Sequence, residues 1–154
     1  MGLFSFIKSV GKKLFGKKEE EAPAEEKAQL KASALLSYVQ GLGLPFKTVK
    51  IVLRGDDVVL TGEVENQADS EKIVLAVGNV EGVDTVDNQM TVLVPAPASR
   101  YHTVESGDWL SKLATTYYGD AQKYDIIFEA NKPMLKDPDE IYPGQVLRIP
   151  NLVE

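Results

Sequence analysis

The chain has no cysteine, and that absence removes disulfides, thiolate zinc sites, iron–sulfur clusters and cysteine nucleophiles from consideration. Histidine is nearly absent too: His102 stands alone among 154 residues, too few for histidine-rich metal sites or histidine-based triads. A basic surplus is also missing. The formal net charge of -6 argues against a nucleic-acid partner, because such proteins present a basic face to phosphates. No apolar run approaches the ~18 residues of a spanning helix. Lys8 interrupts Phe4-Ser5-Phe6-Ile7 before a secretory core can form, and Phe6 stands where a myristoylation signal carries Ser or Thr. The expectation is a cytoplasmic monomer with no nucleic-acid partner and no stable membrane insertion.

What is present is an ordinary globular composition, 44% hydrophobic and 26% charged, in a length that suits one large domain or two small ones. Leu3, Phe4, Ile7, Val10 and Leu14 fall at helical spacing, which predicts an amphipathic helix over 3–15 with Lys8, Lys12 and Lys13 elsewhere on it. Such a helix can lie on an anionic membrane or dock on the protein's own core. Docking is favoured, because the apolar face is short and Glu19-Glu20-Glu21 would be repelled by anionic lipid. Residues 17–22 read as a solvated charged linker, so that 1–22 forms an N-terminal appendage.

From Glu25 to Leu42 the chain is rich in good helix formers, and Ala28, Leu35, Val39 and Leu42 share a face until Gly41, Gly43 and Pro45 end the helix. Val49, Ile51 and Leu53 alternate, Gly55-Asp56-Asp57 turns the chain, and Val58, Leu60, Gly62 and Val64 alternate again: a β-hairpin. Asn66 or Asp69-Ser70 can cap a second helix carrying Ile73, Val74 and Val77 inward. The glycine-rich turn Gly78-Asn79-Val80-Glu81-Gly82-Val83 then leads to a strand over Val86–Val94. The fold class is α+β, with an α-β-β-α-β unit over 23–94. Pro95-Ala96-Pro97-Ala98-Ser99 marks a linker over 95–100. A second unit, over 101–154, reads β-α-α-β: Tyr101–Val104, a helix from Trp109 to Tyr117, another around Ile126–Ala130, and Val146–Ile149.

Tyr101-His102-Thr103-Val104, Ser106-Gly107-Asp108-Trp109-Leu110, Tyr118-Gly119, Asn131 and Ile141 through Pro150 closely resemble a LysM domain. That resemblance implies a β-α-α-β fold and a groove for N-acetylglucosamine polymers such as peptidoglycan. On this chain the groove maps to Gly107, Asp108, Trp109, Asn131, Ile141 and Tyr142. A long charged loop, Lys132 to Glu140, departs from the pattern and is placed to alter or cover that groove. Val58-Val59-Leu60-Thr61-Gly62-Glu63-Val64 and Val80 through Asn88 resemble a BON domain. A BON-like unit followed by one LysM unit, behind Met1 to Phe6, is similar to the small bacterial potassium-binding proteins of that architecture. The resemblance implies a cytoplasmic K⁺ sensor in which the ion, held by the BON unit, favours compaction with the LysM unit.

The chemistry of K⁺ suits such a turn, because protein sites for this ion replace water with several neutral carbonyl oxygens. The last carbonyls of a helix lack intrahelical partners and carry the negative end of its dipole. Helix ends are expected at Val77-Gly78 and near Val10-Gly11. If the N-terminal segment docks beside the turn, the carbonyls of Ile7 and Val10 join those of Gly78, Val80 and Val83, and the family resemblance points to the same five. A Ca²⁺ or Mg²⁺ site would need clustered acidic oxygens, and the turn carries only Glu81.

The remaining candidates read as structural. His102 is expected to be a surface or packing residue, Asp137, Asp139 and Glu140 a solvated turn rather than paired glycosidase carboxylates, and Trp109 with the tyrosines core packing before sugar stacking. No nucleophile with a base, phosphate loop or redox motif is visible, so no catalytic residue is expected and the chain is read as a non-enzyme.

Overall fold

A computed structural model describes residues 2–152. Its centre is the alternating hairpin: β2 (Thr48–Arg54) pairs antiparallel with β3 (Asp57–Asn66), so that Ile51, Leu53, Val58, Leu60 and Val64 all point to one buried face. Helix α2 (Ala24–Leu42) covers that face with Leu35 and Val39, and ends at Gly43 in the left-handed conformation, where a glycine cap relieves the last turn. Helix α3 (Gln67–Gly78) follows β3 directly, and Asn66 at its N-cap makes no side-chain capping bond.

The strand expected over Val86–Val94 forms as two, β4 (Thr85–Asn88) and β5 (Thr91–Val94). Both run parallel to β3 in one register, from Asp57 opposite Thr85 to Asn66 opposite Val94. The break falls where Asn88 turns its carboxamide back on its own chain. Its Oδ1 accepts from the Met90 N–H at 3.1 Å and its Nδ2 donates to Ser70 Oγ at 2.9 Å, a local alternative to the ladder that short polar side chains offer.

No helix forms over 3–15. Residues Gly2–Ser5 are instead strand β1, antiparallel to β4. The apolar side chains that fit a helical period also contain a period of two: Phe4 and Phe6 turn inward while Leu3 is 69% exposed. What decides between the two periods is tertiary. β4 would otherwise present an unpaired edge, and β1 satisfies its backbone groups. The segment does dock on the protein's own core, with Phe4 edge-on to Tyr101 at 5.2 Å. The charged run after it is also more ordered than a linker: Lys17–Glu21 forms a short helix, α1, and its Glu20 sits 2.9 Å from Lys31 Nζ and 3.5 Å from Lys27 Nζ.

In the second unit β6 (Arg100–Thr103) and β7 (Val146–Ile149) form an antiparallel pair. Helices α4 (Leu110–Tyr118) and α5 (Tyr124–Ala130) flank a 3₁₀ turn over Ala121–Lys123 and enclose Leu113, Ile127, Leu147 and Ile149. None of the helices among the described residues is long and apolar enough to cross a membrane.

Helix α3 is buried almost all round, from Ser70 and Glu71 through Ile73 to Gly78, because it packs on the sheet with one side and on β7 with the other. There Glu71 meets Arg148: Nε donates to Glu71 Oε1 at 3.0 Å and the Nη2 lies 2.8 Å from the same oxygen. Ser99 of the connecting segment gives Glu71 its N–H and its hydroxyl, at 3.1 and 2.8 Å. Burial alone would push the Glu71 carboxyl up. The Ser99 hydroxyl and N–H, then Gln67, then the Arg148 charge outweigh burial and hold it below the ordinary 4.5.

A carboxylate depressed in the folded state contributes stability above its unfolded value, and that contribution disappears as pH falls through the folded one. Urea midpoints of the native chain are therefore expected to drop below pH about 4.5, the ordinary value of this group, and Glu71→Gln to flatten that slope. Glu71→Leu, which strands Arg148 in the interface, is expected to cost about 3–5 kcal/mol in the same unfolding experiment.

Candidate cation site

The turn after α3 and the chain after β1 are stitched together by main-chain groups. Phe6 N–H donates to Asp84 O at 2.8 Å, Gly82 N–H to Lys8 O at 2.7 Å, Lys12 N–H to Asn79 O at 2.9 Å and Glu81 N–H to Lys12 O at 2.9 Å. Lys12 and Val80 form a parallel bridge. Residues 6–12 thus wrap residues 79–84 from one end to the other, and both Ile7 and Val10 lie within the wrapping segment.

Two glycines make the approach possible. Gly11 has φ +124°, and a Cβ there would fall on the Asn79 carbonyl. At Gly78 the Phe6 ring occupies the place of a side chain. The expected helix end at Val10-Gly11 is absent, and residues 7–10 form a turn in which Val10 N–H donates to Ile7 O at 3.2 Å. The other helix end is present: α3 stops at Gly78, and Val80 N–H reaches back to Val77 O at 3.3 Å.

The five carbonyls read from the sequence therefore belong to two touching segments. Ile7 O and Val80 O each accept one hydrogen bond, from Val10 and Val83, leaving each a second lone pair. Among the described residues no donor reaches the carbonyls of Val10, Gly78 or Val83. Nor do three or more His, Asp or Glu side chains converge anywhere among the described residues in a way that could hold a metal ion, and these five main-chain oxygens are neutral. Neutral carbonyls in number suit a large monovalent cation better than a divalent one.

The sequence reading missed the side chain of Asn79. It is buried, and its Nδ2 donates to Leu75 O at 3.0 Å and Val146 O at 2.8 Å, while its Oδ1 accepts from Val146 N–H at 2.9 Å. The turn was legible as a bend that needs glycine and asparagine for their backbone freedom, but Asn79 has φ -83° and its side chain is the part that works. The second unit also touches the wrapping segment. Val10 Cγ2 packs over Gly144, with Ile7 Cδ1 nearby. Tyr142 points its hydroxyl at Asn79 O across 3.5 Å, and burial, with Tyr38 beside it, pushes that phenol up to about 12.

The six residues mapped to a glycan groove do not come together as one surface. Asn131 is 2% exposed and bonds Ile127 O, Arg148 O and Arg148 N–H; Ile141 packs into the core and Tyr142 faces Asn79. Asp108 accepts from Glu105 N–H and lies 2.9 Å from His102 Nε2, whose Nδ1 is 2.8 Å from Tyr117 Oη. Only Gly107 and Trp109 stay open, and Trp109, 56% exposed rather than in the core, lines a cleft of about 320 Å³ with Ser111, Tyr124, Pro138 and Asp139. The charged loop contributes the last two, forming one wall.

Residues 27–93 match the family model described as BON domain, and residues 102–150 match that described as LysM domain. The potassium binding protein Kbp of Escherichia coli O6:H1 is 43% identical over 151 residues, which span 97% of this chain and 99% of Kbp. An uncharacterized protein of Deinococcus radiodurans is 34% identical over 77% of this chain and 51% of its own length. Esterase Rv1288 of Mycobacterium tuberculosis is 34% identical over 111 residues, but these make up only 24% of that esterase.

Gly11→Ala and Gly78→Ala are expected to force the two segments apart and lower stability by about 1–3 kcal/mol in urea unfolding. Gly41→Ala, where a Cβ meets open space inside α2, is the control and should be neutral or stabilising by up to about 1 kcal/mol.

Proposed function

The chain belongs to the family of BON–LysM proteins that includes Kbp, and from that membership we propose that it is a potassium-ion sensor rather than an enzyme. The ion is held by the carbonyls of Ile7, Val10, Gly78, Val80 and Val83, without a carboxylate in the first layer. Residues 1–22 act with 23–94 as the ion-binding unit, 95–100 connect, and 101–154 respond.

The observation that carries this reading is the main-chain wrap of 6–12 around 79–84, where the carbonyls of Val10, Gly78 and Val83 have no donor among the described residues. An ion bridging the two segments would replace its hydration shell with carbonyl oxygens drawn from both. It would also offset the negative dipole end of α3, which is buried. Because Val10 and Ile7 pack against Gly144, fixing their backbone favours the docked position of the second unit, and compaction follows from the same contacts.

A titration with KCl at ionic strength held constant by tetramethylammonium chloride is expected to shift the amide resonances of residues 78–83 and 7–12. Rubidium should act like potassium and sodium only at higher concentration. Small-angle scattering should show a smaller radius of gyration in K⁺. The absence of any K⁺ response beyond the ionic-strength control would overturn the proposal.

A second reading concerns the LysM cleft. Trp109 and Tyr124 are exposed aromatics that both line it, and such rings can stack on sugars. If it takes N-acetylglucosamine polymers, chito-oligosaccharide should quench Trp109 fluorescence and Trp109→Ala should abolish retention on purified peptidoglycan. Retention that survives this substitution rejects the reading.

A further inference from the structure

Strand β7 pairs with β6 on one edge only, and its other edge is buried between the two units. Buried strand edges need partners for every N–H and C=O. Two asparagines supply them in the same way. Asn131, following α5, bonds the N–H and C=O of Arg148 at 2.8 and 2.9 Å; Asn79, following α3, bonds the N–H and C=O of Val146 at 2.9 and 2.8 Å. Each also returns its Nδ2 to a carbonyl four residues back in its own helix, Ile127 O and Leu75 O. One clamp lies within the LysM unit and the other reaches across to it from the BON unit.

The crossing clamp has a special position in the chain. The Gly78 carbonyl is bonded directly to the Asn79 nitrogen, and the Val80 carbonyl follows one peptide later. Asn79 O is itself held by Lys12 N–H of the wrapping segment. Asn79 cannot swing its carboxamide away from β7 without releasing three hydrogen bonds, and its backbone cannot rotate without redirecting both neighbouring carbonyls.

We infer that Asn79 is the positioning residue that couples cation binding to LysM docking, its side chain completing the edge of β7 while its backbone aims the carbonyls of Gly78 and Val80. This rests on the potassium reading above and adds the route by which occupancy is reported. Coupling of this kind is reciprocal: what the ion contributes to docking, docking contributes to ion affinity.

Amide hydrogen exchange in the full native chain tests the route residue by residue. Val146 N–H, held by Asn79, is expected to exchange roughly tenfold more slowly in K⁺ than in tetramethylammonium, within the usual range of coupling. Arg148 N–H, held by Asn131 inside the same strand, should be unchanged. Equal slowing of both amides would indicate general stabilisation and overturn the inference, as would K⁺-induced shifts at 78–83 with no change at Val146. Silence at 78–83 and at Val146 together would overturn the potassium reading as well.

Asn79→Ala is expected to weaken K⁺ binding by a similar factor of about ten and remove the K⁺ dependence of Val146 exchange. Asn131→Ala should destabilise the LysM unit with K⁺ affinity within twofold. Should Asn79→Ala fail to fold, the exchange comparison in the native chain still decides. Equal loss of K⁺ affinity in the two variants overturns the inference.

Discussion

The outer edge of β7 imposes the condition that the rest of the molecule meets. A four-residue strand buried on both sides cannot turn its free N–H and C=O groups to water, and no further strand is available to pair with it. The solution is to use carboxamides, whose donor and acceptor mimic a peptide group, at the ends of two helices. Because one of these helices belongs to each unit, β7 is completed only when the units are packed. The Glu71–Arg148 pair and the Ser99 hydrogen bonds lie along the same seam and are satisfied by the same docking. The interface therefore carries directional polar contacts beside its apolar ones, and these fix orientation more strictly than apolar burial alone would.

Much of the fold could be read from residue spacing. The β2–β3 hairpin is written as two alternating runs around Gly55-Asp56, and α2 as a run of helix formers closed by Gly43. These are local signals, and local structure obeys them. The N-terminal segment shows the limit of that method. Leu3, Phe4, Ile7 and Val10 satisfy a helical period, yet Phe4 and Phe6 also satisfy a strand period, and the choice is made by an edge of β4 located more than eighty residues away. No local pattern encodes the need of a distant strand. Asn88 likewise splits the expected final strand through a bond to Ser70, a partner that only the folded helix supplies.

The candidate site was legible in a different way. Carbonyl ligands leave no signature in side-chain identity, so the turn could be found through its glycines and its family resemblance but not through any ligand residue. Of the turn's glycines, Gly78 serves close approach to the Phe6 ring and Gly82 a positive φ, while Gly11 of the facing segment lets the Asn79 carbonyl come near. Asn79 was read for its backbone tolerance because asparagine is common in turns, whereas its importance lies in a side-chain contact with Val146, a partner sixty-seven positions further along. Asn131 was recognised as part of the LysM pattern, but the groove role attached to it gives way to a buried clamp.

The pairing of Gly2–Ser5 with Thr85–Asn88 has a consequence for the order in which the molecule assembles. Residues Gly2–Ser5 find their place only beside β4, a strand some eighty positions further along that is itself paired with β3. Bringing ends so far apart in sequence together costs loop-closure entropy that local helices and hairpins avoid. By that cost the wrap of 6–12 around the α3–β4 turn is expected to close after the local hairpin and helices. A segment held by such long-range pairing can detach while the elements behind it stay intact, a sub-global opening rather than unfolding. The chain thereby sets a segment held by long-range pairing against the turn of the candidate site, where any ligand bound to both would count toward closure.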